Sequence, residues 1–149
     1  MRTRKQYIVP IIILLAWLGS QTELVAQAEE PAVGDELLYM SIYFGGGSFY
    51  ISEEQEVELK EFIEALPNIY HYTISIHSHT DNIGGVEYNN WLSEMRGQSA
   101  IIELIENRVP QENIFLKDFG EFNPVFDNHT YMGRRRNRRV DIIFEPIVF

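Results

Sequence analysis

Residues 77–96, HSHTDNIGGVEYNNWLSEMR, join an alternating segment to an amphipathic helix through a short acidic loop, and this stretch constrains the fold most strongly. The glycine pair at 84–85 allows the loop to turn, because glycine adopts backbone angles closed to other residues. A helix that begins near Val86 would place four residues on one face over two turns. These residues are Asn89, Leu92, Ser93 and Arg96. Asp81 in the loop and Arg96 on the helix can meet only if the loop folds back beside the helix.

The rest of the chain alternates strand segments with amphipathic helices. Residues 70–78 alternate apolar and polar side chains, which is typical of a strand with one buried face. Ser52 and Gln55 form a capping box, which predicts a helix with an apolar stripe toward the core. The stripe consists of Leu59, Phe62, Ile63 and Leu66. Further strands are predicted at residues 37–44, 113–119 and 140–144, and the helix after residue 86 is expected to reach about Arg108. This order predicts an α/β (α+β) fold, a two-layer sandwich.

The first 28 residues have the layout of a secretory signal peptide. A basic start precedes an apolar run at residues 7–18, which is shorter than the roughly twenty residues that span a bilayer. Ala26-Gln27-Ala28 fits an A-x-A cleavage site. We therefore expect a signal peptide at residues 1–28, a flexible lead-in at residues 29–36, one domain at residues 37–149, and a periplasmic location.

Composition narrows the class of partner. The formal net charge is −10, which argues against nucleic acid and anionic membrane surfaces as partners. Five arginines fall within residues 134–139, a cluster that taken alone could indicate a phosphate or heparin site. The chain has no cysteine, so it has neither disulfides nor the lipidated cysteine of a lipoprotein anchor. We expect a soluble, exported protein.

Two separated motifs resemble the signature of OmpA-like peptidoglycan-binding domains, the module found in OmpA, MotB and Pal proteins. Residues 79–96 match the pattern HTD..G....N..LS..R, and residues 120–140 match GE..P...N.T..GR..NRRV. The motifs occur in the expected order and separation, and the resemblance covers nearly all of the chain after the leader. It implies the element order β-α-β-α-β-(α)-β, with a mixed four-stranded sheet and helices on one face.

The resemblance also implies a non-catalytic site for the diaminopimelate end of a peptidoglycan stem peptide. That end is a zwitterion, for which the carboxylate of Asp81 and the guanidinium of Arg96 are matched partners. The residues expected to complete the site are Thr80, Asn82, Asn89, Leu92 and Arg138. The arginines of residues 134–139 are then interpreted as bracing this face. The expected function is to tether an exported or outer-membrane assembly to the wall, with outer-membrane or secretion-complex proteins as further partners.

One difference from the family pattern leaves a second function open. Gly45-Gly46-Gly47 stands where the family usually has Asp and another small polar residue. The second hypothesis is therefore a periplasmic protein-protein assembly domain that has lost peptidoglycan binding.

His77 and His79 project to one side of a strand, as metal ligands do, but no third ligand is identifiable. No serine lies in a nucleophile motif, and we expect no metal, no cofactor and no enzymatic activity.

Overall fold

The computed structural model describes residues 37–147. The elements follow the predicted order, and their bounds differ from the predicted ones by one or two residues. They are β1 (Leu38–Tyr43), α1 (Glu53–Glu64), β2 (Tyr72–Ser78), α2 (Val86–Glu106), β3 (Ile114–Asp118), α3 (Tyr131–Asn137) and β4 (Arg139–Pro146). Single 3-10 turns at Ile69–His71 and Gln111–Asn113 precede β2 and β3. The predicted signal peptide and lead-in lie outside the described residues.

The four strands form one sheet in the order β1-β4-β2-β3. β4 lies antiparallel between β1 and β2, whereas β2 and β3 run parallel. The register aligns Ile42 with Val140, and it aligns Ile76 with both Ile142 and Leu116. The predicted mixed, four-stranded sheet is confirmed.

One core lies between the sheet and the two longer helices. Alternate residues of the strands supply one side of it, because successive side chains of a strand point to opposite faces. Leu59 and Ile63 of α1 and Ala100 and Leu104 of α2 supply the other side. Phe62 and Leu66 of the predicted stripe are partly buried against the same cluster. The two-layer arrangement with α1 and α2 on one face is therefore confirmed.

The capping box of α1 is only half formed. The hydroxyl of Ser52 accepts a hydrogen bond from the backbone N–H of Gln55 at 3.4 Å, as predicted. The Gln55 amide donates to the Ser52 hydroxyl at 3.2 Å rather than returning to the backbone of Ser52. The same side chain contacts the end of β1, where its oxygen accepts from the Tyr43 N–H at 2.7 Å and its amide donates to the Tyr43 carbonyl at 3.0 Å. Gln55 thus connects the first helix to an edge strand.

The helix α2 packs very close to the sheet at Gly97. A methyl group at this position would overlap the Cδ1 atom of Leu116 on β3. Glycine in a helix costs about 1 kcal/mol relative to alanine. The close approach of helix and sheet explains why glycine stands at this position.

Candidate functional site

The loop between β2 and α2 is held at both ends. Gly84 has a φ of +115°, which favours glycine, and α2 begins at Val86 as predicted. The hydroxyl of Ser78 donates to the carbonyl of Ser93, which connects the end of β2 to α2. The predicted helix face is buried throughout, with Asn89, Leu92, Ser93 and Arg96 at most 3% exposed.

A cavity of about 270 Å³ lies between this loop, the start of α2 and the glycine loop after β1. Gly46 and Gly47 contribute to its wall, so the glycine loop faces the cavity with backbone. Three charged side chains meet there, one carboxylate and two guanidinium groups. The complete lining is Gly46, Gly47, Asp81, Ile83, Gly84, Tyr88, Leu92, Arg96 and Arg138.

Asp81 is held by two contacts. Its Oδ1 accepts from the backbone N–H of Ile83 at 3.1 Å, which fixes the turn, and its Oδ2 forms an ion pair with Arg138 at 2.8 Å. Both charged side chains are largely buried, with relative exposures of 8% and 12%. The Nε of Arg138 also donates to the carbonyl of Phe44 at the end of β1. The predicted loop aspartate therefore pairs with an arginine that is 57 residues away in the sequence.

Arg96 is completely buried, although it carries a charge. Its guanidinium donates to the carbonyls of Ser48 at 2.9 Å, His79 at 3.0 Å and Gly45 at 3.1 Å. It also lies 5.1 Å from the centre of the Phe44 ring. Burial lowers the pKa of Arg96 to about 10, and the nearby carboxylate of Asp81 acts in the opposite direction. Three of its five N–H donors thus fix the two loops that form the cavity.

Residues 43–138, which contain the first motif, the second motif up to Arg138 and the cavity wall, match the OmpA family. The chain belongs to the OmpA family. It is 34% identical over 102 residues to the outer-membrane lipoprotein YfiB of Pseudomonas aeruginosa, covering 68% of this chain and 61% of the relative. It is 38% identical over 111 residues to motility protein B of Bacillus subtilis, covering 71% of this chain and 42% of the relative. The chain therefore spans less than two thirds of the length of either curated relative.

Solved structures of OmpA-family domains have the same fold. The peptidoglycan-associated lipoprotein of Burkholderia pseudomallei superposes with a TM-score of 0.66 at 25% identity, over 70% of this chain and 89% of that chain. The periplasmic domain of Helicobacter pylori MotB gives 0.61 at 20% identity, over 75% of this chain and 76% of that chain. The resemblance inferred from the two motifs is confirmed.

The other residues predicted for the site, Thr80, Asn82 and Asn89, are not part of the cavity lining. Thr80 is 2% exposed, and its hydroxyl has no partner in the described part of the chain. Asn89 is fully buried and donates to the carboxylate of Glu121, which connects the two motifs. Asn82 is exposed. Asp81, Leu92, Arg96 and Arg138 are thus the predicted site residues that the structure brings together at the cavity.

Tyr88 and Ile83 contact the cavity but were not predicted from the sequence. The signal for Tyr88 was present, because Tyr88, Leu92 and Arg96 recur at a spacing of four along α2. Ile83 lies in an irregular loop, where side-chain direction follows no period.

Arg134, the first arginine of the segment 134–139, braces the turn before α3. Arg134 donates to the carbonyls of Asn128 and His129, at 2.9 and 3.1 Å. The hydroxyl of Thr130 accepts from the N–H of Gly133 and caps α3, so the sequence Asn128-His129-Thr130 forms a turn that leads into this helix. A side chain at position 133 would overlap the carbonyl of Asp127, which explains the glycine of the GR pair.

The two histidines contact an aromatic ring. His79 stacks on Phe119, with ring centres 5.1 Å apart, and His77 meets the same ring edge-on at 5.2 Å. Burial, followed by the charge of Lys117, lowers the pKa of His77. Within residues 37–147 no group of three or more histidine, cysteine, aspartate or glutamate side chains could hold a metal ion. The same part of the chain contains no helix with the length and apolar character needed to cross a membrane.

Proposed function

We propose that this OmpA-family chain binds peptidoglycan without catalysis, through the diaminopimelate end of the stem peptide. The observation that supports the proposal is a cavity whose wall combines the carboxylate of Asp81 with the guanidinium groups of Arg96 and Arg138. The name of its structural neighbour, a peptidoglycan-associated lipoprotein, points to the same polymer.

The charges of the cavity are complementary to a zwitterion. The ammonium of diaminopimelate would donate to Asp81, whose two oxygens keep acceptor capacity beyond their contacts to Ile83 and Arg138. The carboxylate on the same carbon would bind the guanidinium groups. Because a carboxylate and a guanidinium form two parallel hydrogen bonds, this pairing is directional as well as charged.

The two arginines would contribute differently. The hydrogen bonds of Arg96 to backbone use all three of its nitrogens. Those of Arg138 use two nitrogens, for the carbonyl of Phe44 and the carboxylate of Asp81. Arg138 is also partly exposed, with a relative side-chain exposure of 12%. We therefore assign the main contact to the ligand carboxylate to Arg138, whereas Arg96 shapes the cavity and adds positive charge.

Export to the periplasm would bring this site to the peptidoglycan of the cell wall. The signal-peptide pattern of residues 1–28 supports a periplasmic protein whose mature chain begins at Glu29 and that tethers an exported or outer-membrane assembly. The expected result is an intact mass, measured on protein recovered from the periplasm, that lacks residues 1–28. A mass that retains them would favour an uncleaved signal anchor.

The ligand itself gives the direct test. Wild-type protein is expected to bind a diaminopimelate muropeptide more tightly than its lysine counterpart, which lacks the second carboxylate. The expected difference is about 1.5–3 kcal/mol, the contribution of a hydrogen bond to a charged group. Calorimetric titration of the two peptides measures it. Equal affinities would contradict recognition of the zwitterion, and no binding of either peptide or of purified sacculi would favour the assembly-domain hypothesis.

A further inference from the structure

A line of aromatic side chains leads away from the cavity and joins α2 to the loop after β1. Tyr88 lines the cavity, and its ring centre lies 5.8 Å from that of Trp91. Trp91 meets Phe49 edge-on at 5.9 Å, and Phe49 stacks on Tyr50 at 4.7 Å. We call these four residues the aromatic line. Tyr88, Trp91 and Tyr50 are 45%, 44% and 76% exposed, so the line presents ring surface to solvent.

The far end of the aromatic line opens into a second cavity of about 310 Å³. Phe49, Tyr50, Met95 and Ile102 give this groove an apolar wall, and Ile102 is 55% exposed. Polar side chains lie among them, namely Glu56, Gln98 and Glu103. Burial, together with repulsion from Glu56 and Glu106, raises the pKa of Glu103. The groove therefore combines flat apolar surface with amide and carboxyl groups that form hydrogen bonds.

This combination matches the chemistry of a sugar ring. The C–H groups of one pyranose face pack on the electron-rich face of an aromatic ring, while hydroxyl and acetamido groups need hydrogen-bond partners. An anionic partner would be repelled, because the chain carries a formal net charge of −10 and the groove contains two glutamates. An N-acetylated glycan is uncharged where the lactyl carboxyl group of its muramic acid is in amide linkage to a stem peptide.

We propose that the aromatic line binds the glycan strand of peptidoglycan while the stem peptide occupies the cavity beside Asp81. This inference rests on the proposed function, since the two parts of the ligand are covalently joined and the two surfaces meet at Tyr88. Tyr88 contacts the first cavity and begins the line.

The test separates the two parts of the ligand. The ligands are a diaminopimelate stem peptide without sugar, the same peptide on its disaccharide, and an uncharged N-acetylglucosamine oligosaccharide as the peptide-free glycan. Trp91→Ala is expected to weaken binding of the disaccharide peptide and of the glycan by about tenfold, which corresponds to one aromatic stacking contact. Its affinity for the sugar-free peptide is expected to be unchanged. Tyr39→Ala is the matched control, because Tyr39 is 68% exposed on β1 and lies outside both cavities.

Fluorescence gives a second measurement that does not depend on a variant at the site. Trp17 lies in the predicted signal peptide, so the mature chain that begins at Glu29 has Trp91 as its single tryptophan reporter. The N-acetylglucosamine oligosaccharide is expected to shift and quench its emission, whereas the sugar-free peptide is not. Circular dichroism and the melting curve of Trp91→Ala are expected to match those of wild type, which shows that a loss of binding does not come from unfolding. Trp91→Phe is expected to restore most of the affinity, because it keeps an aromatic ring at this position.

The outcomes distinguish this inference from the proposed function. If the sugar-free peptide binds and the disaccharide adds no affinity in wild type, the glycan inference is overturned and the stem-peptide site stands. If neither form of the peptide binds, the proposed function fails. If phosphatidylcholine vesicles, rather than glycan, change the Trp91 emission, the line is a lipid-contact surface and the glycan inference is likewise overturned.

Discussion

Arg96→Lys is expected to lower the free energy of unfolding by about 3–5 kcal/mol, the range found when a buried charge loses its partners. The planar guanidinium reaches carbonyls of three separate residues, Gly45, Ser48 and His79. A lysine ammonium is compact and more strongly hydrated, so it cannot reproduce these contacts and costs more to bury. The two loops that form the cavity would lose their common support.

Urea unfolding of the whole chain measures this effect, with Arg134→Lys as the matched control. Arg134 also donates to two backbone carbonyls, but it is only half-buried. We expect its replacement to cost less than about 1 kcal/mol, because water can substitute for its contacts. Hydrogen exchange should show faster opening of residues 45–48 in Arg96→Lys alone. A stability within error of wild type would show that Arg96 does not hold the loops.

Asp81→Asn is expected to remove about 2–5 kcal/mol of binding free energy for a diaminopimelate muropeptide, the cost of deleting one partner of a desolvated charge pair. Asparagine keeps an oxygen that can accept from the Ile83 N–H, so the turn is retained. The substitution removes the negative charge that would face the ligand ammonium. Affinity is therefore expected to fall while the loop keeps its shape.

Asp81→Asn also leaves Arg138 without its ion pair, so the control variant must remove a similar ion pair away from the cavity. Asp141→Asn serves this purpose, because Asp141 pairs with Arg139 at 2.9 Å and lies outside the cavity wall. Both variants are expected to lose some stability, and both should be titrated well below their melting temperatures. If the two bind the muropeptide equally well, Asp81 is not part of the site.

Local patterns in the sequence determined the elements and much of the core. The alternation of residues 70–78 and the apolar stripe of α1 reflect side-chain periods that the local backbone sets. The buried apolar side chains Tyr72, Ile74 and Ile76 of β2 and Leu59 and Ile63 of α1 agree with these periods, and Ser75 on the other face of β2 is buried as well. The glycine pair at 84–85 and the face through Arg96 likewise predicted where α2 begins and which side it buries. The order and spacing of the two motifs indicate the family without any knowledge of tertiary contacts, and the family match agrees.

The partners of the charged groups were decided only by the tertiary structure. Asp81 forms its ion pair with Arg138, and the guanidinium of Arg96 donates to loop carbonyls. Arg138 directly precedes β4, and it reaches Asp81 because β4 lies between β1 and β2. Likewise, Trp91 meets Phe49 only where the loop after β1 crosses α2. A side chain's period along its own helix or strand is local, whereas its contacts depend on strand order, register and loop path. Strand order and loop path depend on contacts between elements that are distant in the sequence, and the period of one element does not specify them.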